Sequence, residues 1–193
     1  PVCIYSIMAV SLNLTVGILG DLSLGQAGFM CVGAFASAFF TNLVQDSITF
    51  TPLRFTLAIL IGALVAGVFG LLIGIPVLRL SGDYLAIVTL AFGEIIKNFL
   101  NILYVGKDSH GLHVSIKDTM SLGMEPDGVV IIKGAQGITG TSRDATFTIG
   151  IILLLISLFI VLRLVQSRDG RAIRSIRDNR IAAESIGINI TKY

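Results

Sequence analysis

Four windows of this chain, residues 1–20, 22–45, 55–78 and 145–162, contain no Asp, Glu, Lys or Arg. A helix that crosses a bilayer needs about 20 consecutive, mostly apolar residues, because the hydrocarbon core solvates no charge. Each window has 18 residues or more, and the 14 basic and 12 acidic residues all lie outside them. Composition follows the same pattern, with 54% hydrophobic and 13% charged residues. An ordinary soluble domain carries about 25% charged residues. A soluble globule, a disordered chain and a disulfide-stapled secreted domain are therefore excluded. The expected fold class is an all-α, polytopic transmembrane helical bundle.

A fifth apolar stretch, Tyr84 to Val105, is interrupted only by Glu94 and Lys97. Five spans are thus expected, at about 1–19, 23–43, 54–79, 84–105 and 146–166. The first is not a signal peptide, since it lacks a basic leader and a small-residue cleavage site and a second span follows directly. The chain begins at Pro1 within apolar sequence, so it reads as a piece of a longer chain. Arg163, Arg168, Arg171, Arg174, Arg177 and Arg180 follow the last span, against Asp169 and Asp178. Positive charge beside a span marks the cytoplasmic side. This divides the chain into a transmembrane region, 1–166, and a cytoplasmic segment, 167–193. Counting back by alternation places the loop 106–145 outside.

Local signals set the expected boundaries. Ser23-Leu24-Gly25-Gln26 fits a capping box for the second span. Asp83 suits the cap of the fourth, where the helix dipole favours an anion. Gly67, Gly70 and Gly74 lie along the third span, and Gly70 to Gly74 is a GxxxG pair of the kind that lets helices approach closely in lipid. Gly33, Ala34, Ser37 and Ala38 give the second span its own small-residue stripe.

Candidates for chemistry are few. Glu94 and Lys97 are three apart, adjacent on a helix face. A lone charge at mid-membrane costs about 2.5–3.5 kcal/mol on insertion scales. The two are either an ion pair within the bundle or a polar element lining a translocation path. Cys3 and Cys31 sit in apolar windows and read as buried thiols. His110 and His113 lack a third ligand nearby, so no metal is expected. The glycine-rich run Lys133 to Gly140 does not fit a phosphate-binding loop. No catalytic residue and no cofactor is expected. Asp21 and Asp83 raise an alternative of another class, an intramembrane aspartyl protease. Ile18 stands where that motif needs Gly, and both aspartates fall at span ends, where capping accounts for them.

The tail carries the most specific pattern. Its arginines at 168, 171, 174, 177 and 180 advance 300° per step on a helix, too wide a fan for one stripe. Two short helices breaking near Asp178-Asn179 are expected instead. Ile181-Ala182-Ala183 followed by Gly187 forms a small apolar knob ended by a glycine cap, suited to a partner's groove.

Ile181-Ala-Ala-Glu-Ser-Ile-Gly187 resembles the EAA loop of ABC-importer permeases, with Ile181 in place of the initial Glu. Three further stretches extend the likeness. They are Ser11–Gly17 running into Leu22–Phe29, Leu78–Glu94, and Gly137-Ile-Thr-Gly140. Together they resemble the longer permease of branched-chain amino-acid ABC importers. The resemblance implies a transport subunit that does no covalent chemistry, in a bacterial-type cytoplasmic membrane. It implies docking to an ABC ATPase through Arg177, Ile181, Ala182, Ala183, Glu184 and Gly187. It also implies a second, homologous permease, an extracytoplasmic substrate-binding protein and further spans beyond Tyr193. The implied substrate is a small apolar amino acid, with urea or a short amide as the alternative within the family.

Overall fold

The computed structural model describes residues 2–20, 22–45, 50–77, 80, 82–108, 111–117, 122–123, 128–138, 140–141 and 145–188. These form helices α1 (Val2–Leu12), α2 (Gln26–Val44), α3 (Thr51–Val77), α4 (Asp83–Asn101), α5 (Phe147–Gln166), α6 (Arg168–Asp178) and α7 (Arg180–Ser185). Strands β1 (Tyr104–Asp108), β2 (Gly111–Ser115) and β3 (Val129–Lys133) lie between α4 and α5. Four helical segments are long and apolar enough to cross a membrane: Val2–Leu19, Gln26–Val44, Thr51–Val77 and Phe147–Gln166.

The expected fourth span is the point of difference. Helix α4 forms, but Glu94 and Lys97 leave it less apolar than the other four, and it ends at Asn101. Val105, expected inside that span, belongs to a strand instead. β-branched residues suit a pleated, half-buried surface, and the run Val129-Val-Ile-Ile supplies them. The result is a three-stranded antiparallel sheet in the order β2-β1-β3, where the sequence suggested only a loop.

The chain divides into two compact units. One contains residues 1–23, 80–86 and 145–193. In it α1 packs against α5, closely enough that a Cβ at Gly150 would stand 3.2 Å from the Cys3 Cβ. The first span continues from α1 as a π-helical segment, Asn13–Leu19. Thr15 Oγ1 donates to the Leu12 carbonyl at 2.9 Å, a side-chain bond that competes with the ordinary ladder. The wider turn ends at Gly20, whose N–H reaches back five residues to the Thr15 carbonyl at 3.1 Å.

The other unit contains residues 24–79 and 87–144. Helices α2 and α3 form an antiparallel pair whose tightest crossing is at Gly33 and Gly62. A Cβ at Gly62 would stand 2.7 Å from the Gly33 carbonyl oxygen and 3.0 Å from the Ser37 Cβ. The small-residue stripe of α2 is therefore in contact, with Gly62 of α3 opposite Gly33. Among the described residues, no atom lies within 4 Å of a Cβ placed at Gly67, Gly70 or Gly74. The reason is angular: at 100° per residue the three stand about 80–140° round α3 from Gly62, off the face that meets α2. The expected capping box also does not form, since α2 starts after Gly25 with no side-chain cap. Thr89 of α4 holds the chain leading into α2 instead, its hydroxyl accepting from the Leu24 N–H at 3.1 Å. The sheet packs through Val105, Ile131 and Ile132 against Phe35 and Phe39 of α2, which makes the buried core of this unit.

Candidate functional site

The turn from α5 into α6 is built by three residues. Ser167 is extended at φ −69° and ψ 173°, and its Oγ accepts from the Gly170 N–H at 3.1 Å, capping α6. The same hydroxyl donates to the Leu164 carbonyl at 2.6 Å. A Cβ at Gly170 would press into the Leu164 carbonyl and lie 2.6 Å from that of Val165, so only glycine allows this close a turn.

Helix α6 then offers arginines to helix ends. The last carbonyls of any helix lack internal partners and carry the negative end of its dipole. Arg171 Nη1 donates to the Gln166 carbonyl at 2.9 Å, and Arg174 Nη2 to the Val165 carbonyl at 2.7 Å. Arg177 Nη1 donates to the Gly17 carbonyl of the first span at 2.7 Å. Spaced by three, these residues cover about 120° of the helix, one face of the wider fan. The tail arginines are thus engaged by the last turns of two spans, which places the ends of those spans together. Sequence reasoning had the basic cluster but missed this role, because the carbonyls of Gly17 and Val165 carry no residue-type signal. Arg163, in the last turn of α5, instead lies over the Phe159 ring at 5.3 Å.

The break between α6 and α7 falls where the arginine fan placed it. Asn179 is extended, and its Oδ1 accepts from the Ala182 N–H at 3.0 Å, capping α7. The helix closes through Gly187 at φ +89°. Gly187 N–H donates to the Glu184 carbonyl at 3.0 Å and Ile188 N–H to the Ala183 carbonyl at 3.1 Å. This is the paired bond pattern of a glycine-terminated helix, and the expected glycine cap is present.

The candidate docking residues separate by exposure. Ile181 is 81% exposed and Ile186 76%, and Ala182, Glu184 and Gly187 are also exposed. Ala183 is only 2% exposed, on the helix that packs against α6. Ala183 therefore serves the hairpin itself and not its outer surface. Arg177 likewise binds within the chain, with Nε and Nη2 on Asp178 Oδ1 at 3.2 and 3.0 Å besides its bond to Gly17.

In the other unit, Lys97 Nζ and Glu94 Oε2 form an ion pair at 3.2 Å, with both side chains more than half exposed. The nearby cavity, about 420 Å³, is lined by apolar side chains including Phe35, Phe39, Phe69, Phe99 and Leu100. Neither Glu94 nor Lys97 lines it. A zwitterion there would lose its hydration without replacement, so the cavity suits only apolar groups. Among the described residues no group of three metal-ligating side chains exists. Cys3 and Cys31 are free thiols. His110, Asp21 and the Asp83 side chain lie outside the described residues.

Residues 2–193 match the family model described as the permease component of the branched-chain amino acid transport system. The chain is 33% identical over 198 residues to the high-affinity branched-chain amino acid transport system permease protein LivM of Salmonella typhimurium. That alignment covers 98% of this chain and 45% of the relative. The Escherichia coli LivM is 34% identical, over 96% of this chain and 44% of its own length. The chain thus spans about half the length of the curated relatives it matches. No solved structure matches. The apolar helices and this match over nearly the whole chain make it a member of the branched-chain amino acid transport permease family.

Proposed function

We propose that this chain is a membrane-spanning permease subunit of an ATP-driven importer, carrying branched-chain or other small apolar amino acids. The α6–α7 hairpin is its docking element for a cytoplasmic ABC ATPase. The observation that carries this reading is the hairpin's construction. It is fastened by arginines to the ends of two spans, yet presents Ile181 and Ile186 outward. Buried apolar anchors dominate most protein interfaces, and these two are in place to serve as such. The docking set is Ile181, Ala182, Glu184 and Ile186, closed by the Gly187 turn, with Ala183 supporting it from within and Arg177 turned to the first span.

The positive-inside rule puts 167–193 in the cytoplasm and 106–145 on the opposite side. A second permease subunit and an extracytoplasmic binding protein complete the assembly. Glu94 and Lys97 are the polar element of the path, which is formed with the remainder of the complex. The names of the relatives favour leucine, isoleucine and valine over urea or short amides.

The test is uptake by the full-length complex in proteoliposomes loaded with ATP, with labelled leucine and labelled urea offered in parallel. Leucine accumulation that requires internal ATP supports the reading. Urea accumulation without leucine would move the substrate to the amide class, and uptake independent of ATP would overturn the importer.

A further inference from the structure

We propose that Arg177 is the positioning residue through which movement of the α6–α7 hairpin reaches the first span. This rests on the reading of the hairpin as the ATPase docking element. Of the arginines bonded to helix ends, Arg171 and Arg174 reach only five and nine residues back, to the end of α5. They make α5 and α6 one continuous piece. Arg177 reaches across the fold, 160 residues in sequence, to the Gly17 carbonyl.

The contact is shaped on both sides. Gly20, at φ +86°, leaves room for the arginine stem, and a Cβ there would stand 2.5 Å from the Arg177 Cγ and 2.8 Å from its Cδ. On the other side, Asp178 Oδ1 accepts from both Nε and Nη2, which fixes the plane of the guanidinium. A planar donor held along that one edge directs its Nη1 at the Gly17 carbonyl. Asp178 directly precedes Asn179, the cap of α7. The sequence of contacts therefore runs from the α7 cap, through Asp178 and Arg177, into the last turn of the first span.

The receiving turn is π-helical, a geometry found mostly in short pieces and frequently at functional sites. Two fifths of the Arg177 side chain is exposed, so the bond can break and reform during a cycle. A pull on the hairpin would thus displace the end of the first span directly. Without the guanidinium, the ATPase would still dock and hydrolyse ATP, but the first span would not follow.

The experiment uses the reconstituted full-length complex with Arg177→Ala and Arg177→Lys. Three quantities are read: ATPase co-purification, ATP hydrolysis, and leucine transported per ATP. In Arg177→Ala, co-purification stays within twofold of wild type while leucine per ATP falls about tenfold, the scale of a typical coupling energy. Arg177→Lys, which can still donate to Gly17, recovers part of that ratio. A spin-label pair at Val16 and Ser185, which lies outside the docking set, gives a structural readout. Its distance distribution stays narrow through nucleotide trapping in wild type and broadens in Arg177→Ala. An unchanged transport ratio, or loss of ATPase co-purification in Arg177→Ala, would overturn the proposal, since the link acts after docking. Failure of the docking reading shows separately, as an Ile181→Asp variant that still retains the ATPase.

Discussion

Gly62→Ala and Gly70→Ala are the same chemical change on the same helix, and the structure gives them opposite consequences. Both residues sit inside α3, so both substitutions bring the same gain in helix propensity, up to about 1 kcal/mol. At Gly70 the new methyl meets no described atom within 4 Å. At Gly62 it would stand 2.7 Å from the Gly33 carbonyl oxygen and 3.0 Å from the Ser37 Cβ. Neither neighbour is the far end of a flexible chain, so α2 and α3 must separate. Overpacking of this kind costs about 1–3 kcal/mol. Propensity cancels between the two variants, so their difference in stability should be that overpacking cost, about 1–3 kcal/mol. The assay is thermal unfolding in detergent, followed by labelling of the half-buried cysteines Cys3 and Cys31 with a thiol-reactive dye and repeated with size-exclusion detection. Gly62→Ala should melt below wild type, and Gly70→Ala at or above it. Equal melting of the two, or a lower value for Gly70→Ala, would refute the crossing at Gly33 and Gly62.

Asn179→Ala removes the cap of α7 and should destabilise the hairpin by about 1 kcal/mol, seen as faster hydrogen exchange at the Ala182 and Ala183 amides. Gly187→Val forces a branched residue into the left-handed region at φ +89°. It should cost about 1–2 kcal/mol and lower ATPase co-purification, while membrane insertion stays intact. Glu94→Gln should change the melting temperature little, because an exposed pair three apart contributes about 0.2–0.5 kcal/mol. Its leucine uptake should nonetheless fall if the pair borders the path, and wild-type uptake would remove the pair from it. For sidedness, single cysteines at Leu112 and Asp169, in a background lacking Cys3 and Cys31, are exposed to an impermeant thiol reagent. Position 112 should label from outside and 169 should not.

Much of this fold was legible because a bilayer imposes it. Charge-free windows mark four spans directly, since a charge inside hydrocarbon is costly. The break at Asp178-Asn179 was legible from angular arithmetic on the arginines, and the Gly187 cap from a glycine just past the Ile181-Ala182-Ala183 run. What escaped had long-range causes. Thr89 holds the chain before α2 from 65 residues away, and no local pattern predicts that. The glycines of α3 look alike in sequence, and only the face that α2 covers decides which of them meets a neighbour. The sheet escaped because its core strand sits in a segment whose overall polarity suggested a loop, and its burial depends on Phe35 and Phe39 of α2. Ala183 is ambiguous in sequence for a related reason. A small residue suits both a docking surface and a tight hairpin interior, and only its 2% exposure separates the two.

The most direct test of the central claim is a photo-crosslink from the hairpin surface to the ATPase in the assembled full-length complex. A benzoylphenylalanine is placed in turn at Ile181, Ile186 and Leu112, and the complex is irradiated in native membranes. The account predicts an adduct with the ATPase subunit from positions 181 and 186 and none from 112. Adducts only with lipid from both hairpin positions, or an ATPase adduct from 112, would contradict it.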